Sequence, residues 1–486
     1  MSKNKPTPYL NSIKSYIKKT KSFVQRPEGF FLVFSVFFGF IFVFLTPPMR
    51  VYDERPHFFQ AYAVSNFDFI PDKYEYNGRY HYGAELPKSV FVAGELFIAN
   101  TAGNSDVKFD KHLFKAYINQ PLQPTVTDHR ESGTGYSPIA YIPQAIGITI
   151  GKIFNSSPLI MIWLGRLTNL IAWVGIVYFA IRILPFGKWA LAILALNPMA
   201  VFLSASLSAD VMTTALIFLF FSLVGSVFGK SKPLSKSKLA LIFSTLGLMV
   251  LTKPTNALFA LLLFAIPWRN LKTKRNYILI CLGGIAIAVI TAFLWNHLVA
   301  EANQFTSQMQ SVGRVVSAPE QLAGIIHSPL GYVKTIFLNY ILIPSGYPGD
   351  FVLMSSIGVL GWGETNIPLW TIILYVICLF FSLLYASGRG ELLTKSQKAI
   401  LASVFVLFFV GNITAMYLYL NGIGYSIIQG VQGRYFIPGA ILITGLFAAR
   451  KKILVADKEL FVITLGLLMI VVLGMTALKI LFRYYG

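Results

Sequence analysis

Hydrophobic residues in this chain seldom alternate with polar ones; they run together. Apolar stretches occupy residues 29–47, 158–182, 188–205, 208–228, 237–252, 254–268, 277–297, 366–386, 397–420, 434–449 and 458–481. A bilayer core about 30 Å thick takes roughly 20 apolar residues per helix, so the pattern predicts an all-α polytopic membrane protein with about eleven transmembrane helices, within a range of ten to thirteen. The organisation that follows is a basic amino-terminal segment (1–28), a first span (29–47) and an outer loop (48–157). Spans two to seven (158–297), a second outer loop (298–365) and spans eight to eleven (366–486) complete it.

Residues 135–154, "GYSPIAYIPQAIGITIGKIF", are apolar enough to count as a further span. Two internal prolines and the sidedness of the later loops favour a re-entrant or interfacial helix instead. The outer loop before it holds 11 of the 20 acidic residues and four of the six histidines. It has few aliphatic residues and is expected to lie on the membrane face as short helices and connections. In the second loop, "LGYVKTIFLNYILIP" reads as another surface helix. The first span is too long and too rich in phenylalanine for a cleavable signal, and no small-residue cleavage site follows, so it reads as a retained anchor.

Composition agrees with the pattern: 55% of residues are hydrophobic and 13% charged, with a mean hydropathy of +0.63. The net charge of +21 sorts by sidedness rather than by domain. Residues 1–28 carry seven Lys/Arg against one Glu, and "GKSKPLSKSK", "WRNLKTKR", "SGRGELLTKSQK" and "ARKK" fall in alternate connections. Cytoplasmic loops carry such an excess, so the amino terminus is expected inside. Scattered basic loops fit topology signals and contacts with anionic lipid; no continuous basic domain exists for nucleic acid. Cys281 and Cys378 both sit in apolar runs, as buried small hydrophobes would.

An ionisable residue in or beside a span is a functional candidate by default. Four stand out: Arg166 in "WLGRLTNL", Asp210 in "SASLSADVM", Lys253 in "LTKPTN" and Arg434 in "QGVQGRYFIP". With the amino terminus inside, all four fall at the outer ends of their helices, where Asp53, Glu54 and His57 also emerge. Singly, each has an ordinary reading: cations snorkel at helix ends, Asp210 caps a helix, and acids favour a helix amino terminus. Together, cations at one depth suit a phosphate, and a neighbouring carboxylate suits proton abstraction or contacts with carbohydrate hydroxyls. No Gly-rich nucleotide loop, metal-spaced His/Cys cluster or G-x-S-x-G elbow is present, so no metal site and no cofactor is called for.

The order of motifs is distinctive: "TPP" then "DE", "HF" and "AY" after the first span, followed by "GYSPIAYIPQ", "GRLTN", "NPMAVFLSASLSAD", "TKPTN", "GWGETNIP" and "GVQGRYFIP". In this it resembles a bacterial multi-pass family of unknown function grouped with the GT-C glycosyltransferases. The resemblance implies transfer of a sugar from a polyprenyl (undecaprenyl) phosphate donor to a cell-surface glycan: a wall polysaccharide, a teichoic acid or a lipid-linked oligosaccharide. It puts the base on Asp53 or Glu54, with Asp53 preferred as the first of the pair. Asp210, with His57, becomes the second acidic or acceptor position, and Arg434 the phosphate contact, aided by Arg166 and Lys253. Gln432, Tyr435 and Glu364, in the last two motifs, are supporting residues. Tyr52 stands where a proline is common in relatives. The same outer-face charges would serve a ligase or polymerase of lipid-linked glycans, whereas a flippase should hold charges at several depths. A Lys- and Phe-rich composition with few Trp points to a bacterial, Gram-positive plasma membrane.

Overall fold

The computed structural model describes residues 22–98, 103–125, 127–132, 135–228, 233–303, 315–342, 352, 354–385, 393–447 and 457–486. Most of the basic segment 1–28, part of "GKSKPLSKSK", half of "SGRGELLTKSQK" and all of "ARKK" lie outside the described residues.

Among the described residues, five helices are long and apolar enough to cross a membrane: Pro27–Leu45, Pro158–Ile183, Lys274–Leu298, Lys395–Leu420 and Lys458–Tyr484. Their outward faces are apolar, with Phe37, Phe40, Phe293 and Leu467 all exposed, as expected where lipid rather than water is the neighbour. The Pro158–Ile183 helix is central and packs against Pro27–Leu45, Ile142–Ile153 and Asp210–Gly225. Ile142–Ile153 has 12 residues, about 18 Å at 1.5 Å per residue. Alone it is shorter than a bilayer core.

Several of the apolar runs are not continuous α-helices. The run at 188–205 is two short helices, Lys188–Ala195 and Pro198–Ser204, buried apart from Lys188 at the start of the first. Asn197 separates them: its side chain accepts a hydrogen bond from the Met199 N–H (2.8 Å) and Pro198 opens the second, a start signal placed inside an apolar stretch. The run at 254–268 begins with a 3-10 helix, Pro254–Ala265. The run at 434–449 begins as 3-10 turns, Gly433–Phe436 and Pro438–Ala440, leading into the α-helix Ile441–Leu446. Proline supplies the break in each case, because it removes a backbone donor and disfavours helix in the residue before it.

The first outer loop corrects the expectation of helices and connections alone. It contains a three-stranded antiparallel sheet, β1 (Asp72–Tyr76), β2 (Arg79–Pro87) and β3 (Thr127–Glu131). Tyr76 pairs with Arg79 across a two-residue turn in which Asn77 (φ 52°) and Gly78 (φ 70°) both take positive φ. Asn-Gly between strand-forming residues is the strongest short-range hairpin signal, and "EYNGRY" carries it. Two helices of the loop, Glu54–Val64 and Lys88–Ile98, pack together and against the sheet. In the second loop, Pro329–Phe337 forms the surface helix expected there.

Candidate functional site

Asp53 and Glu54 are neighbours in sequence with opposite surroundings. The Glu54 carboxylate is fully buried against Arg166. Arg166 Nε donates to its Oε1 (2.8 Å) and Nη2 to its Oε2 (2.6 Å), and the Leu207 N–H adds a third bond to Oε1 (3.2 Å). The remaining Arg166 donors reach the carbonyls of Val43 (2.9 Å), Thr46 (2.7 Å) and Pro47 (3.0 Å). A guanidinium has five N–H groups, so all are committed. They close the carboxyl end of the first span, whose last carbonyls lack helical partners. The pair therefore ties the first span, the central helix and the Leu207 turn together.

Asp53 precedes the Glu54–Val64 helix in the left-handed region (φ 59°, ψ 15°) and does not cap it. Short polar residues tolerate that conformation better than most. The turn sends the two acids in different directions. Arg434 Nη2 donates to Asp53 Oδ2 (2.7 Å) and Nη1 to the Tyr52 carbonyl (3.3 Å). Asp53 keeps 40% of its side-chain surface exposed, against 5% for Arg434. Arg434 Nε lies 3.3 Å from Asp210 Oδ2, an ion pair without hydrogen-bond alignment, and that buried N–H has no hydrogen-bond partner. One arginine thus spans two carboxylates and leaves a donor uncommitted.

Local sequence explains the convergence. Gly433 lets the Gly433–Phe436 turn lie against the chain near Ser355: a Cβ there would meet the Ser356 nitrogen at 2.1 Å and the Val352 carbonyl oxygen at 2.2 Å. The Gly433 N–H donates to Ser355 Oγ (3.0 Å). Lys253 is extended (φ −158°, ψ 115°) between the Lys236–Thr252 helix and Pro254, as a residue before proline should be. Its ammonium sits 4.2 Å from the centroid of the Tyr435 ring, and among the described residues no carboxylate lies within ion-pair distance of it. Asp210 opens the Asp210–Gly225 helix. The Tyr52 ring covers Arg434 at 4.8 Å and packs at a tilt against Trp362, with ring centroids 4.6 Å apart.

Arg434 also stands between two cavities. One is lined by Val51, Tyr52, Met199, Phe202, Leu203 and Gln432 among others, with about 360 Å3 of empty space including its mouth. The other is smaller, with room for about one water, and is lined by Asp210, Thr213, Thr214, Lys253, Asn256, Asn412 and Tyr435 with Phe408 and Pro438. Apolar residues and glycines predominate around the first, and polar side chains around the second.

Of the expected residues, Asp53, Asp210, Lys253, Arg434 and Tyr435 come together, and Gln432 lines the neighbouring cavity. His57 is buried behind them, hydrogen-bonded through Nδ1 to the Tyr141 hydroxyl (2.8 Å), and burial holds its pKa below the ordinary histidine value. Glu54 and Arg166 form the separate closed pair. Glu364 also stands apart, accepting from the Tyr484 hydroxyl (3.1 Å) and lying 4.0 Å from Arg483. Sequence reasoning noted Tyr52 without giving it a role at the site, and missed Trp362, Tyr141, Thr213, Thr214, Asn256 and Asn412. For Asn412 a signal existed, a carboxamide within an apolar span.

Residues 34–443 match the model of a family described as "Predicted membrane protein (DUF2142)". No curated protein and no solved structure matches the chain.

Proposed function

The chain belongs to the DUF2142 family of membrane proteins, and from that premise we propose that it is a GT-C-type glycosyltransferase. In this reading it moves a sugar from a polyprenyl phosphate donor to a cell-surface glycan at the outer face of a bacterial plasma membrane, with its amino terminus inside. The observation that carries the reading is Arg434. It is a buried cation shared by an exposed and a buried carboxylate, with an uncommitted N–H, at the wall between an apolar and a polar cavity. A lipid-linked sugar phosphate has the same order of parts: apolar chain, anion, polyol.

Asp53 is the base in this scheme, because Glu54 is fully buried and accepts from Arg166 and Leu207 while Asp53 is open to solvent. Arg434 turns from Asp53 to the incoming phosphate, which frees the carboxylate as the donor binds. Asp53 takes the proton of the acceptor hydroxyl as that oxygen attacks the anomeric carbon opposite the phosphate. The bond from that carbon to the phosphate oxygen breaks, its electron pair leaves on the lipid phosphate, and Arg434 and Lys253 stabilise the charge. Attack from the opposite face inverts the anomeric centre. All the phosphate neutralisation is assigned to side chains.

The test is surface glycan composition in cells lacking the protein, complemented with wild type or with Arg434→Gln. One sugar constituent should disappear on deletion and return with wild type but not with Arg434→Gln. Unchanged glycans in the deletion strain would overturn the reading.

A further inference from the structure

We propose that a groove at the membrane face opposite Arg434 binds an anionic phospholipid, with an acyl chain against its apolar walls and the phosphate among the basic side chains at its rim. The groove lies between the starts of the Lys274–Leu298 and Lys395–Leu420 helices and the end of the Pro254–Ala265 3-10 helix. The two long helices fix its depth. Asn412, which lines the small cavity beside Arg434, follows Lys395 by 17 residues of unbroken helix, about 26 Å at 1.5 Å per residue. Trp295, whose indole N–H donates to the Gly135 carbonyl of the first outer loop (3.2 Å), follows Lys274 by 21 residues, about 32 Å. Both spans are close to the thickness of a bilayer core, so the groove belongs to the other leaflet, the one on the side of the basic connections. The transferase reading is not needed for it.

The stretch "AIPWRNLKTKR" makes the groove. Pro267 favours an extended Ile266 (φ −69°, ψ 126°), which ends the 3-10 helix and leaves Trp268 in the single turn Trp268–Leu271 with 41% of its surface exposed. Lys272 then takes positive φ (69°), and the Thr273 hydroxyl accepts from the Asn276 N–H (3.1 Å) to start the next helix. This detour leaves about 520 Å3 of space, within the usual range for a small-molecule pocket and roomier than either cavity beside Arg434. Phe264, Ile266, Pro267, Ile278 and Ile400 wall it. The backbone in that wall is already paired: the Gln397 amide donates to the Ala265 carbonyl (2.9 Å) and the Tyr277 hydroxyl to the Phe264 carbonyl (3.0 Å). Phe264 and Ile278 are exposed, so the groove opens sideways, where lipid is the neighbour.

Its charge decides which lipid. Residues 264–278 and 393–400 contain Arg269, Lys272, Lys274, Arg275, Lys395 and Lys398 and no Asp or Glu, and none of the six forms an ion pair with a described carboxylate. Lys274 lines the groove with its ammonium 5.9 Å from the Trp268 ring centroid, and the Arg269 guanidinium lies 5.8 Å from the same centroid. Thr394 and Ser396, on either side of Lys395, add hydroxyls to the lining. Tryptophan among lysines and arginines suits the headgroup level of a membrane, and a basic pocket between helices at that level suits an anionic headgroup. A zwitterionic lipid would bring a cation of its own to this rim. A soluble phosphate would leave the apolar wall uncovered.

The test is tryptophan fluorescence of the full chain in mixed vesicles of phosphatidylcholine and phosphatidylglycerol, with one or the other lipid brominated in its acyl chains. The part of the quenching that Trp268→Phe removes reports the groove. Phosphatidylglycerol should be preferred there by about tenfold in wild type. Arg269→Gln combined with Lys274→Gln should cut the preference to about twofold or less, while quenching by brominated phosphatidylcholine persists and certifies insertion and folding. Arg182→Gln combined with Lys458→Gln, two exposed cations elsewhere, should leave the preference intact. Equal quenching by the two lipids in wild type, quenching indifferent to Trp268→Phe, or a preference that survives loss of Arg269 and Lys274 would overturn the site. So would equal loss in both double variants, which would assign the preference to surface charge at large. Displacement by soluble glycerol phosphate, or by undecaprenyl phosphate more readily than by phosphatidylglycerol, would overturn the phospholipid as occupant.

Discussion

Two ion pairs begin at adjacent residues and are built on opposite plans. Around Glu54 and Arg166 every donor of the guanidinium has an acceptor, and neither side chain touches solvent. Around Arg434 the arrangement is incomplete: two carboxylates share one cation, one N–H has no partner, and one carboxylate faces outward. A buried charge is tolerable when its geometry and hydrogen bonds are complete, and removing one partner of such a pair is strongly destabilising. Completeness marks the first pair as architecture. The unmatched capacity of the second is where a ligand can enter.

Substitution of the two neighbours should separate those roles. The largest effect is expected for Asp53→Asn, which removes the proposed base but little packing: transfer should fall by about 10² to 10⁴-fold with the melting temperature nearly unchanged. Measured together in purified protein, normal turnover by Asp53→Asn would move the base elsewhere. Glu54→Gln should do the reverse, leaving the Arg166 charge uncompensated and destabilising the protein by about 3–5 kcal/mol. Its melting curve and membrane yield report that loss, and wild-type stability would show that the closed pair does not hold the spans. The smallest effect concerns His57, behind the open pair. Its folded-state pKa is depressed by burial, so it stays neutral where an unfolded histidine, with a pKa of about 6.5, takes a proton. Stability is therefore full above that value and declines as pH falls below it, by at most about 1.4 kcal/mol per pH unit. Melting temperature against pH should flatten in His57→Gln; an unchanged slope would assign the acid sensitivity to other groups.

The charges at the open site were conspicuous in the sequence because ionisable residues are rare in apolar runs. Lys253 before Pro254, Asp210 after a serine-rich turn and Arg434 after a glycine could each be found that way. What could not be read was which acid of the "DE" pair faces the site, because the left-handed turn at Asp53 is a single residue's conformation with no periodic signal. Arg166 looked like its fellow cations, and only the carbonyls of Val43, Thr46 and Pro47 reveal it as the cap of the first span. The hairpin was legible in "EYNGRY" but was overshadowed by the loop's shortage of aliphatic residues. Asn256 and Asn412 escaped notice because uncharged amides stand out less than charges.

The sequence by itself determined a membrane protein with several long apolar helices, since hydrophobic length is a local property that the bilayer reads directly. The breaks within apolar runs, at Pro198, Pro254 and Pro438, were written in the sequence as well, but hydrophobic length alone passes over them. The tertiary structure alone decided that Arg434 reaches both Asp53 and Asp210, that Arg166 takes Glu54, and that four uncharged polar side chains meet around one small cavity. Those are contacts between residues far apart in the chain. Their partners are selected by geometry in a medium where a charge without a partner is costly.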